Sequence, residues 1–325
     1  MKQQTQTKIL GLTLIMLTLS MQAQLKERIK SHTAYLSSDE LEGRGQGSKG
    51  IELAAAYIAK QFKNNGLKPH NGNSFYQKFS VPESIGLETN IIGYLDAAEP
   101  SDKSIVFTAH YDAYGIRKEP GQQDSIYNGA RDNAVGVSAL IELARTFANE
   151  KTPRHNIVFV ATAAEEFGRH GSKYYVNNPL LPSNEIIICL NIDGLNVSGI
   201  RTDYFILPRQ GIDFIDKVES ILRPSGWHYN SPNWVDGLNK NFDTASFLSN
   251  GIPAVSIWVG DRLKDGSFAK PLPFGPIHTT EDEINKYWNW NGVEEHLQLY
   301  KTIADYFLEN PNGIRVTNPK LFTED

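Results

Sequence analysis

Apolar residues recur at helical spacing in three stretches of the chain. In 48–69, "SKGIELAAAYIAKQFKNNGLKP", Ile51, Ala55, Ile58 and Phe62 define one face, and Gly66 with Pro69 ends the pattern. In 132–150, "DNAVGVSALIELARTFANE", the face is Val137, Leu140, Ala144 and Phe147, with Asp132 expected as the N-cap. In 291–310, "NGVEEHLQLYKTIADYFLEN", it is Val293, Leu297, Tyr300, Ala304 and Phe307. Between these stand four runs that are apolar without alternation: 103–112, 156–166, 185–194 and 252–260. Uninterrupted apolar strands that alternate with amphipathic helices predict a largely parallel sheet covered on both faces. The expected fold class is therefore α/β, a three-layer α/β/α sandwich around a mixed, mainly parallel sheet. No Pro-, Gly- or Ser-rich linker divides the chain after its first residues, so residues 24–325 are read as a single domain.

Residues 1–23 read differently. Lys2 and Lys8 precede the apolar stretch "ILGLTLIMLTL", which is short for a membrane span, and "SMQAQ" offers a cleavage site after Ala23. This is the pattern of a signal peptide. It predicts an exported protein, periplasmic or extracellular, with no stable membrane insertion after cleavage. Cys189 is the one cysteine, so no intrachain disulfide can form, and no cysteine follows the signal to carry a lipid. The formal net charge of −5 and the lack of a basic run argue against a nucleic-acid partner.

Chemistry concentrates where three of the apolar runs end. His110 and Asp112 close the first, Glu165 and Glu166 the second, Asp193 the third. Sites in open α/β sheets form at the carboxyl ends of strands, so these groups are expected on one rim, with Asp132 joining from the start of a helix. Five carboxylates and an imidazole need positive charge. Arg131 and Arg169 stand near in sequence, but a pair of divalent ions would neutralise the cluster better and would also use the histidine. A histidine among oxygen donors favours zinc over magnesium or calcium. A second histidine is then wanted, and His278, His228 and His170 compete for the place. His32, His70, His155 and His296 lie in polar or helical contexts and are expected at the surface. "EGRGQGSKG", 42–50, has glycines and a lysine, but no strand precedes it and the phosphate-loop order is absent, so it reads as a structured loop before a helix.

Six blocks carry a resemblance: "TAHYDAYG", "GARDNAVG", "AEEFGRHGS", "LNIDG", "NGIPAV" and "IHTTED", in this order over residues 108–282, preceded by "LSSDELEGRGQGSKG". The chain resembles the secreted co-catalytic dizinc aminopeptidases, of a superfamily that also holds glutamate carboxypeptidases and glutaminyl cyclases. The resemblance implies two Zn2+ ions bridged by Asp132. His110 and Asp193 would complete one ion's ligands, and Glu166 and His278 the other's. Glu165 would be the general base, and Asp112 would accept a hydrogen bond from His110 and fix its tautomer. The Asp132–Asn133 bond would be cis. The implied activity is removal of N-terminal residues from a peptide or small aminoacyl substrate.

Three positions depart from the family pattern. Phe242, Asp243 and Thr244 stand where many members have Ser-Asp-His. Ile277 stands where several have a tyrosine before the last histidine. Arg169 stands where an apolar residue is usual, and is expected to bias the pocket toward anionic groups. The rivals are a single-zinc cyclotransferase like the glutaminyl cyclases, a carboxypeptidase of the same superfamily and a non-catalytic binding protein on the same fold. His110 together with Asp193 favours two metals and hydrolysis, and the intact set of six key residues disfavours the binding protein.

Overall fold

A computed structural model describes residues 24–69, 72–81, 86–121, 123–150, 153–178 and 181–324. The expected signal segment 1–23 and His70 lie outside the described residues.

The four apolar runs form the middle of a nine-stranded sheet. They are β4 (Ser104–His110), β7 (Asn156–Thr162), β8 (Ile186–Asn191) and β11 (Ala254–Val259). β4 pairs in parallel with β7 on one side and β8 on the other, and β8 pairs in parallel with β11. The margins are antiparallel. β3 (Leu87–Leu95) runs against β7 and also pairs with β1 (Lys68–Pro69) and β2 (Tyr76–Ser80). On the other margin β9 (Asp203–Leu207) runs against β11 and pairs with β10 (His228–Tyr229). A two-stranded ribbon, β5 (Gly115–Ile116) with β6 (Ile126–Tyr127), stands apart.

Successive side chains of a strand leave on opposite faces, and this sorts the core into two layers. Ile105 and Phe107 of β4 and Ile157 and Phe159 of β7 join the larger cluster. It is covered by α2 (Lys49–Asn64), α3 (Val135–Asn149), α5 (Ile215–Leu222) and α7 (Trp290–Glu309), together with the helical residues 24–36, α1. Val106 of β4 and Val158 and Val160 of β7 face the other way. They pack under α4 (His170–Asn177) and α6 (Thr244–Ser249). The expected three-layer α/β/α arrangement with a mixed, centrally parallel sheet is what the chain adopts. The predicted helical faces are its buried faces, and no helix among the described residues is long and apolar enough to cross a membrane.

One expectation fails at the start of α3. The N-cap of that helix is Ala134, with no side-chain hydrogen bond. Asp132 lies two residues earlier, at φ −125° and ψ 87°, inside an irregular turn over Ala130–Ala134. Its carboxylate turns away from the helix toward two histidines, so it cannot also accept from the first helical amides. The Asp132–Asn133 bond is cis, as the resemblance implied.

Candidate metal centre

α3 connects β4 to β7, and β8 lies on the opposite side of β4, so the strand order reverses around β4. That reversal opens a crevice beyond the carboxyl ends of the three strands, the usual place for a site in such sheets. His110 is the last residue of β4, Glu165 and Glu166 follow β7, and Asp193 follows β8.

These groups converge in two sets that share one residue. His110 Nε2 lies 3.0 Å from Asp132 Oδ1 and 3.6 Å from Asp193 Oδ1. His278 Nε2 lies 2.9 Å from Asp132 Oδ2 and 3.5 Å from Glu166 Oε2. Each oxygen of Asp132 therefore serves one set, and within each set the donor atoms lie within 4.8 Å of one another. His228 and His170 belong to neither set.

The residues between these side chains explain why they hold this geometry. Asp282, four residues after His278, accepts the backbone N–H of Arg131 at 3.0 Å and of Asp132 at 3.1 Å. One loop thus carries His278 and anchors Asp132. Asn133 donates to the carbonyl of Ile192 at 2.8 Å and accepts the N–H of Gly194 at 2.9 Å, which ties the Asp132 turn to the Asp193 turn. A Cβ on Gly136 would lie 2.0 Å from Asn133 Oδ1, so only glycine leaves that amide in place. Asp282 and Asn133 were not singled out from the sequence, although both sit inside the resemblance blocks.

Asp112 does something other than expected. Its Oδ1 lies 3.7 Å from His110 Nδ1, too long for a hydrogen bond. The two carboxylate oxygens are taken instead by the backbone N–H groups of Glu165, at 3.1 Å, and Glu166, at 3.2 Å. Ala164, in the left-handed region at φ 56°, turns the chain so that both amides face Asp112. Asp112 thus orients the glutamate pair and stands beside His110 as a charge.

The electrostatics show a centre short of cations. Burial pushes Glu165, Glu166 and Asp193 above the usual carboxylate range, helped by repulsion from neighbouring carboxylates. Burial would also raise Asp132, but the two histidines outweigh it and hold Asp132 low. Burial alone would lower His110, yet the surrounding carboxylates, Asp193 foremost, raise it well above its usual value. Glu166 Oε1 and His110 Nδ1 are buried without hydrogen-bond partners. A donor set of imidazole nitrogen and carboxylate oxygen, with excess negative charge, fits zinc.

The arginines near in sequence do not supply the missing charge. Arg131 is held by Asp282, with Nε 3.3 Å from Oδ1. Arg169 pairs with Glu324 near the end of the chain, so the expected bias of the pocket toward anions is countered by an acid already beside it. Asp243 is fully buried and accepts a hydrogen bond from Thr162 at 2.6 Å, away from the cleft. Two histidines expected at the surface are buried. His32 bonds Tyr57, and His296 accepts the N–H of Asn196 and donates to the carbonyl of Ile257. Their helical context hid this, because the partners come from other elements.

The centre lies in a cleft of about 890 Å3, with Asp132, Glu165, Glu166, Asp193 and His278 on one side and Leu195, Leu238, Phe242 and Trp258 among its apolar walls. Ile277 and Tyr114 also line it, and the Tyr114 ring packs against His278, 4.8 Å between ring centres.

The model of "Peptidase family M28" matches residues 90–304. Among curated relatives, a vacuolar membrane protease of Candida dubliniensis is 26% identical over 285 residues, 79% of this chain and 27% of the relative. A probable zinc metalloprotease of Pyrenophora tritici-repentis is 31% identical over 161 residues, 49% of this chain and 36% of the relative. The alkaline phosphatase isozyme conversion protein of Escherichia coli is 26% identical over 242 residues, 66% and 67% respectively. The chain thus spans about a quarter to a third of the first two relatives. Among solved structures, a Bacillus subtilis zinc aminopeptidase superposes with a TM-score of 0.63 at 15% identity, covering 86% of this chain and 94% of the other. A Porphyromonas gingivalis glutaminyl cyclase superposes at 0.65 and 16%, covering 88% and 98%. At such identities the likeness speaks for the fold alone, and it is as close to the cyclase as to the peptidase.

Proposed function

The chain belongs to peptidase family M28, and from that premise we propose that it is a zinc-dependent aminopeptidase that hydrolyses the first peptide bond of its substrate. The observation that carries the reading is the division of Asp132: Oδ1 faces His110 and Asp193, Oδ2 faces His278 and Glu166. Two three-residue sets around one shared carboxylate are what two ions require, and a single-zinc cyclotransferase has no need of the second set.

Bound zinc supplies Lewis acidity and makes water at the site more acidic. Glu165 belongs to neither ligand set, yet it lines the same cleft with its neighbouring amides fixed by Asp112. Its carboxylate is the base that takes a proton from the attacking water and returns it to the leaving nitrogen. Cations in the two sets would counter the burial and the carboxylate repulsion that keep a proton on Glu165, leaving it ionised and able to accept one. Glu166 holds its neighbouring set together and cannot exchange roles with Glu165. The apolar walls around Phe242 and Trp258 exclude water and give the substrate side chain a surface to bury against. We also read residues 1–23 as an export signal, which amino-terminal sequencing of the natural protein would test by finding a start at Gln24.

A panel of aminoacyl chromogenic amides, N-blocked peptides and glutaminyl peptides, assayed with and without chelator alongside metal analysis, tests the proposal. Two zinc ions per chain and chelator-sensitive hydrolysis of free-amine substrates are expected. Activity on N-blocked peptides alone would instead make it a carboxypeptidase. One tightly bound zinc with lactam formation from glutaminyl peptides would make it a cyclase.

A further inference from the structure

The loop "EGRGQGSKG" has no place in the function so far, yet its arginine is among the largest fully buried side chains described. Arg44 makes no hydrogen bond to a carboxylate. Its guanidinium donates only to backbone carbonyls: Nε to Tyr111 at 2.7 Å, Nη1 to Asn128 at 2.7 Å and to Leu36, and Nη2 to Gly129 at 3.0 Å. Tyr111 lies between His110 and Asp112. The carbonyl of Gly129 also accepts the N–H of Ala134 at 3.0 Å, closing the turn that carries Asp132.

We propose that Arg44 is a positioning residue of the metal centre, its guanidinium fixing the two backbone segments that carry His110 and Asp132 at the spacing one ion requires. The inference rests on the zinc-site part of the proposed function. Several features point the same way. The carbonyl of Arg44 itself accepts the N–H of Ala113 at 3.3 Å, so the residue grips the segment after β4 from both its backbone and its side chain. The loop is pressed so closely on this region that a Cβ on Gly43 would lie 2.6 Å from the carbonyl oxygen of Tyr127. Glu42, Gly43 and Arg44 all take left-handed φ, 51°, 61° and 46°, which drives the arginine inward. Burial lowers the guanidinium to about 10, while Asp112, Asp282, Asp132 and Glu166 hold it up, so it remains a cation at neutral pH. It is a fully buried positive charge with no carboxylate hydrogen bond, unlike Arg131 and Arg169, which pair with Asp282 and Glu324.

A lysine has the charge but not the planar fork that reaches four carbonyls in three directions. This separates positioning from simple charge. The experiment compares Arg44→Lys, Arg44→Met and Ser48→Ala, the last removing the N-cap of α2 in the same loop without touching Arg44. Zinc affinity by chelator competition, kcat and KM on an aminoacyl amide, and urea unfolding are measured for each. Arg44→Lys is expected to fold, to bind zinc about tenfold more weakly and to lose kcat with KM near the wild-type value, as for loss of a ligand-orienting partner. Arg44→Met is expected to lose about a hundredfold in zinc affinity by the same principle. Ser48→Ala is expected to lose stability and keep zinc affinity. The proposal is overturned if both Arg44 variants bind zinc like the wild type. It is equally overturned if zinc affinity merely tracks stability across the three variants, or if neither Arg44 variant folds while Ser48→Ala does. The zinc comparison judges Arg44 whether or not the wild-type protein hydrolyses aminoacyl amides, so this inference and the aminopeptidase reading fail separately.

Discussion

Glu165 and Glu166 are adjacent in sequence and unlike in situation. Both receive backbone orientation from Asp112, but only Glu166 approaches a histidine of a ligand set, 3.5 Å from His278. Glu165→Gln should keep zinc and lose kcat by about a hundredfold to ten-thousandfold, the range of general-base losses. Glu166→Gln should weaken binding of one ion by at least the ten- to hundredfold typical of a lost outer partner. Identical zinc titrations of the two variants would refute this division of labour. His296 makes a separate prediction. Burial lowers it to about 4, partly opposed by its hydrogen bond to the Ile257 carbonyl, so the folded protein holds it neutral. Above pH ~6.5 it is neutral in both states and costs nothing. As pH falls from about 6.5 to about 4 the unfolded chain takes up a proton that the folded chain refuses, and stability drops by on the order of 3 kcal/mol. Urea unfolding at pH 7 and pH 5 should therefore show a smaller acid-induced loss in His296→Gln than in the wild type.

At the scale of elements, the centre depends on turns more than on the strands that deliver them. β4, β7 and β8 bring their ends together by parallel pairing, but Asp132, common to both sets, sits in an irregular turn with no strand of its own. That turn is held by Asp282 on one side and Asn133 on the other. Asp282→Ala leaves the half-buried amides of Arg131 and Asp132 without their acceptor, at about 1 kcal/mol each. It should lower urea stability and zinc affinity together, and Asp282→Asn, which keeps an acceptor oxygen, should do so less. Unchanged zinc affinity in Asp282→Ala would show that the turn holds its shape unaided. The shortest helices, α4, α5 and α6, escape a periodicity search because eight, eight and six residues give too few turns to define a face. β2 and β3 escape it because their polar and apolar positions mix at the sheet margin.

Across the whole molecule the two core layers are indifferent to metal, while the crevice beyond the strand ends is not. Carboxylates from three strand ends and from the Asp132 turn repel one another there, and cations would relieve that repulsion only in the folded chain. Zinc should therefore stabilise the fold by linkage, about 4 kcal/mol at a thousand times the dissociation constant. Chelation should lower Tm by about 6 °C, since unfolding entropy of about 2.1 cal/mol/K per residue over about 300 residues divides that ~4 kcal/mol. A melting temperature indifferent to chelator and to added zinc would argue that the two sets bind no ion in the native state.

The chain by itself specified the parallel centre of the sheet, its three long helices and the acids and histidine at the strand ends. These follow from residue order alone, since periodicity is local and a strand's last residues must leave the sheet at its edge. The resemblance blocks added the choice of His278 over His228 and His170, which spacing alone leaves open. Only tertiary structure decided that Asp112 serves the glutamate amides, that Arg169 is matched by Glu324, and that the interior cation is Arg44. Apart from the bond of Arg44 to Leu36, each of those pairings joins residues 53 or more positions apart, and those of Asp112 and Arg44 run through backbone groups. A carbonyl has no residue identity to read, so nothing in the letters of the sequence marks where such a clamp will close.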